Sequence, residues 1–220
     1  MPKLERGEVS TVLGTFDASR GTVVFKEDQL SKSWLAREDL TRFPIALSSG
    51  RVWDAPATNL PATAATDDLG FVDGAIWGTN APLLQTIDQA SNVAATAAYA
   101  RFPDVTIPDN WINGETLQIE VSAGMVTTVA DTTATVDLDV RVGDTDATVG
   151  SDLNATAAVS INSALITATP TTATFTITET SLSPGDKLDV RVAITIEDGA
   201  TGTAVIGAIS KIALLADIRG

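Results

Sequence analysis

The 220-residue chain contains no cysteine and no histidine. Without cysteine there are no disulfides and no thiolate nucleophile. Without histidine there is no imidazole base, no Ser-His-Asp triad and no histidine-ligated zinc. Basic residues are also scarce, 14 against 28 acidic ones, for a net charge of −14. Nucleic acid and anionic membrane surfaces are therefore poor partners, because phosphate recognition needs clustered Lys and Arg. No uncharged apolar run reaches 18 residues, and the opening MPKLERGEVS lacks an apolar signal region, so neither a membrane span nor Sec export is expected. The chemistry left to an enzyme is a carboxylate pair, a lysine base or an oxygen-ligated metal.

The carboxylates do not make that case. Asp137 and Asp139 share the polar face of one strand pattern, Asp189 and Arg191 that of another, and all read as solvated surface charge, with Arg141 and Arg191 pairing across strands. Gly143-Asp144-Thr145-Asp146 with Asp152 offers oxygen ligands for calcium, but the spacing differs from an EF-hand loop and Asp-rich turns are common without metal. The expectation is a non-enzyme with no cofactor and no metal.

What is present is β pattern. From about residue 93 the apolar period is two, as in Thr116–Val121, Val136–Val142, Ala173–Thr178 and Leu188–Ile196. With Val93–Phe102, Thr156–Ile161 and Thr203–Leu215 this makes seven or eight strands, separated by turns such as Asn113-Gly114 and Pro184-Gly185-Asp186. The fold class is all-β, an antiparallel β-sandwich of jelly-roll type. Ala204–Leu215 is apolar on both faces, which predicts a cover, either a subunit interface or the folded-back arm; Val205, Gly207 and Ile209 are the candidate oligomer interface.

Residues 1–55 show no period and read as an extended N-terminal arm, with one or two helical turns after Ser33. Residues 56–66 read as a linker rich in Ala, Thr and Pro, and 67–220 as the sandwich domain. The arm holds eight basic and eight acidic residues, so all the net charge lies in the remainder. Its aromatics need something to pack against. Trp34, Arg37, Arg42, Phe43, Arg51 and Trp53 are the candidate partner-binding residues. Trp111, in Phe102–Gly114, reads as a plug at one end of the sandwich, or as a stacking platform for sugar if exposed.

The stretch Phe102-Pro103-Asp104 through Trp111-Ile112-Asn113-Gly114, with Leu182–Val190 near the end, resembles jelly-roll capsid decoration (cement) proteins of tailed bacteriophages. That resemblance implies a homotrimer on the outer capsid surface of a virion, its arm gripping the major capsid protein lattice through many weak contacts. Two other readings stand beside it: a capsid-forming jelly roll or virion appendage, and a glycan-binding or adhesin module.

Overall fold

A computed structural model of the chain describes residues 15–17, 22–24, 40–72, 81–90, 93–126, 130, 132–143, 150–199 and 204–218. The chain divides into two compact units, residues 1–40 and 41–218. In the first, β1 (Thr15–Asp17) and β2 (Thr22–Val24) form an antiparallel hairpin with Phe16 opposite Val23. The helical turns expected after Ser33 lie outside the described residues.

The second unit holds β3 (Thr41–Ile45), β4 (Gly70–Val72), β5 (Leu83–Gln85), β6 (Thr96–Thr106), β7 (Leu117–Met125), β8 (Thr133–Val142), β9 (Val159–Ser160), β10 (Thr171–Thr176), β11 (Lys187–Glu197) and β12 (Gly207–Ala216). One sheet runs β10-β7-β12-β5-β4, with β3 also on β12; the other runs β6-β11-β8-β9. From β5 to β8 successive strands alternate between sheets, and β10, β11 and β12 alternate again. The order β10-β7-β12-β5 against β9-β8-β11-β6 is that of a jelly roll, and every ladder is antiparallel.

The core follows from the two-residue period. Val136, Leu138 and Val140 of β8, Ile119, Val121 and Ala123 of β7, and Val190, Val192, Ile194 and Ile196 of β11 point inward with Phe102 and Phe175. Burying one such large aliphatic side chain contributes about 1.5–3 kcal/mol, which is what holds the two layers face to face. The turns work as expected: Gly114 and Gly185 have φ of 84° and 86°, a conformation that costs glycine little and other residues more.

Two expectations are corrected. Residues 41–66 are not arm and linker but part of the sandwich. β3 forms a five-residue ladder with β12, and Pro61 accepts a hydrogen bond from the Phe71 amide at 2.8 Å. Pro and small residues here mark turns rather than a free tether.

The second correction concerns β12. Val205 and Ile209 are buried in the core of the same chain, and a Cβ on buried Gly207 would come within 2.8 Å of Ile194. These three residues are covered within the monomer and leave no apolar face for a neighbour. The strand looks two-sided for two reasons. A bulge between Ile209 and Lys211 shifts its phase, so that Ile209 and Ile212 both face inward. Ala213 and Leu215, on the outer face, are flanked by Pro44 and Arg42 of β3 and by Glu120 and Gln118 of β7.

Candidate functional site: the outer face of the four-stranded sheet

The outward side chains of β6, β11 and β8 meet in one patch, and a loop delivers a tryptophan onto it. Arg51 and Arg101 exchange backbone hydrogen bonds of 2.8 and 3.0 Å, clipping residues 51–59 to the edge of β6. Pro56 at the second position of the turn closed by the Thr58 amide and the Ala55 carbonyl (2.8 Å) suits its fixed φ and returns the chain to Asn59. The Arg51 guanidinium donates to Asn59 Oδ1 at 2.6 Å and ties the two ends together. A second clip lies alongside, where the Leu69 amide donates to Tyr99 (2.8 Å) and the Tyr99 amide to Asp67 (2.9 Å).

Trp53, carried on the first loop, packs against Tyr99 with ring centroids 5.2 Å apart and planes tilted by 49°. The Arg191 guanidinium lies 4.9 Å from the Tyr99 ring centre and 5.5 Å from that of Trp53, within cation–π range of both. Arg191 is held there by Asp139, whose Oδ2 accepts from its Nη2 at 2.9 Å. The same carboxylate accepts from Arg141 Nε at 2.8 Å. Across the strand, Asp189 accepts from Arg101 Nε at 2.8 Å and also from its Nη2.

The patch is therefore a fixed array of planar hydrogen-bonding groups beside an aromatic pair, all of them half-exposed. Arg101, Arg141 and Arg191 balance Asp137, Asp139 and Asp189. The carboxylates of Asp189 and Asp139 raise the pKa values of Arg101 and Arg141 and keep both guanidinia charged. Burial raises the Asp137 pKa, with Asp152 and Asp139 adding to the effect against a hydrogen bond from the Leu138 amide. Among the described residues no group of three or more acidic side chains is arranged to hold a metal ion. Asp144 and Asp146 lie outside them, while Asp152 accepts hydrogen bonds from the Val140 and Asn154 amides.

The candidate partner-binding residues scatter. Trp34 and Arg37 lie outside the described residues. Arg42 makes a two-pronged ion pair with Glu120 of β7. Phe43 packs half-buried on the core and, with Arg51, Phe102 and Pro103, lines a half-open cleft of about 330 Å³ between β3 and β6. Of the described candidates only Arg51 and Trp53 belong to the patch, one as its clip and the other as its platform. Trp111 is buried at 2% exposure and bridges to Ile218, so it is a plug and no stacking surface.

Tyr99 and Arg101 carry no local signal that marks them as functional. Asp139, Asp189, Arg141 and Arg191 were legible as polar-face charge, and the structure turns them into one network.

No family model matches the chain, and no curated protein matches it either. Among solved structures it is similar to the CBM22-1 xylan-binding domain from Paenibacillus barcinonensis Xyn10C, at 11% identity and a TM-score of 0.37 over 70% of this chain and 83% of that one. It is also similar to the xylan-binding module CBM15, at 13% identity and a TM-score of 0.42 over 82% and 99%. A third is the second N-terminal cellulose-binding domain of Cellulomonas fimi β-1,4-glucanase C, at 14% identity and a TM-score of 0.40 over 81% and 97%. The class that the ladders define is an antiparallel β-sandwich of jelly-roll order.

Proposed function

We propose that the protein is a non-catalytic recognition module that binds a neutral glycan on the outer face of β6, β11 and β8. One observation carries this reading: the Trp53–Tyr99 pair stands beside guanidinium and carboxylate groups that already hold one another in place. Sugar rings offer apolar C–H faces that stack on aromatic rings, and hydroxyls that both donate and accept. A balanced set of Arg and Asp supplies partners for both roles without selecting a charged ligand. Groups preorganised by their own ion pairs lose little entropy on binding. Affinity electrophoresis through gels carrying soluble xylan, β-glucan or mannan tests the reading: a neutral polysaccharide retards the wild type, and Tyr99→Ala abolishes the retardation. Migration unchanged by any neutral glycan would count against it.

A second reading, capsid cementing, is favoured by one observation. Residues 1–40 form a unit of their own, as an arm that grips a lattice would. The deletion that tests it ends at Leu40, because removing Thr41–Ile45 would strip β12 of one of its partner strands. Particle binding that survives this deletion would sink the cementing role.

A further inference from the structure

We propose that the first half of β10 is a pairing edge for a second copy of this chain. In the ladder with β7, the odd-numbered residues of β10 hydrogen-bond inward, a parity continued by the Ile177 amide donating to Leu117 at 3.0 Å. The even-numbered residues face away from the sheet. Thr176 and Thr178 have outward partners: the Ala155 amide donates to Thr176 (2.9 Å), Thr176 donates to Thr156 Oγ1 (2.9 Å), and Thr178 to Leu153 (2.8 Å). Thr172 and Thr174 have no outward backbone partner among the described residues.

Among the described residues, other edges of the sandwich are covered in part. The middle of β6 is clipped by residues 51 and 67–69, and β8 beyond β9 is capped by Asp152, Leu153 and Asn154. β3 carries Pro44 and a charged Arg42. Such covers, charges and prolines are how proteins keep strand edges from pairing, and among the described residues β10, Thr-Thr-Ala-Thr-Phe-Thr, has none of these on its open half.

The occupant follows from the strand itself. In an antiparallel two-fold pair centred on Ala173, Thr172 lies opposite the second copy's Thr174 and the reverse, so each outward N–H and C=O of these residues finds a partner. The same register sets Thr176, whose outward groups are already used, opposite Pro170, which has no N–H to offer. Two copies of a chain with net charge −14 repel over most of their surface, and this uncharged strand lets them approach without opposing like charges. The outward-facing threonines give Thr–Thr cross-strand pairs, and the two sheets become one continuous sheet.

Sedimentation velocity of the full chain from micromolar to several hundred micromolar tests this. The expected result is a concentration-dependent monomer–dimer equilibrium, and Thr174→Pro is expected to remain monomeric throughout. Proline is tolerated on an edge whose N–H faces out, so that variant should keep the wild-type circular dichroism and melting temperature. A wild type that stays monomeric, or a dimer or trimer that Thr174→Pro leaves intact, overturns the proposal. Should that variant fail to fold, hydrogen exchange of the wild type decides. Amides of Thr172 and Thr174 that slow as concentration rises support the pairing, and amides indifferent to concentration refute it.

Discussion

Arg42 and Glu120 meet across a strand that belongs to neither of them. Arg42 comes from β3 and Glu120 from β7, with β12 between, and their charged groups join over the face that carries Ala213 and Leu215. The second prong, Arg42 Nη2 to Glu120 Oε2, is 2.7 Å long, and Lys211 Nζ stands 3.8 Å from the same carboxylate. An arginine expected to bind a partner is instead part of the outer cover of its own sheet.

Removing Arg42 leaves a carboxylate that is only 11% exposed with one distant cation. Because the guanidinium is 40% exposed, the loss should be moderate, about 1–2 kcal/mol for Arg42→Ala by urea denaturation. The double variant with Glu120→Gln should recover part of it, since no buried charge then remains unpaired. A double-variant loss equal to the sum of the Arg42→Ala and Glu120→Gln losses would show that the pair is not coupled.

Gly70 tests whether residues 56–66 are structure or tether. A Cβ there would stand 2.3 Å from the Ala64 backbone nitrogen and 2.8 Å from the Thr63 carbonyl carbon, atoms that cannot rotate aside. Gly70→Ala should destabilise the protein by about 1–3 kcal/mol or more. Gly207→Ala should cost less, because its added carbon meets Ile194 and Ile196 side-chain atoms at 2.8 and 3.3 Å. A neutral Gly70→Ala in thermal melts would restore the linker.

Asp137 gives a pH dependence of known sign. Its pKa in the folded chain is raised by burial above the ordinary value near 3.8, so the folded state binds its proton more tightly than the unfolded state does. Its favourable contribution is complete below that ordinary value and is lost as pH rises through the raised one. Asp137→Asn should therefore be more stable than wild type at pH 7, with the advantage disappearing towards pH 3.5. An advantage that persists unchanged at low pH would place its origin elsewhere.

The fold was legible where burial is one-sided. β8 and β11 alternate because one face meets the opposite sheet and the other meets solvent, and that contrast is local in sequence. β12 misled because a bulge shifts its phase and its cover by Arg42 and Glu120 comes from strands some 170 and 90 residues away. β3 and β5 are too short, at five and three residues, to show a period, so the sandwich was expected to begin at residue 67 when it begins at Thr41. The patch was hidden for a similar reason. Trp53, Tyr99 and Arg191 are joined only once the loop is clipped to β6 and β6 is paired with β11.

The most direct measurement is amide and indole chemical-shift mapping during titration with the neutral oligosaccharide that best retards the protein. The account predicts saturable shifts at Tyr99, Arg101, Asp139, Asp189 and Arg191 and at the Trp53 indole, with the cleft residues Phe43 and Ile45 unmoved. Shifts centred on that cleft, or none with any neutral glycan, would contradict it.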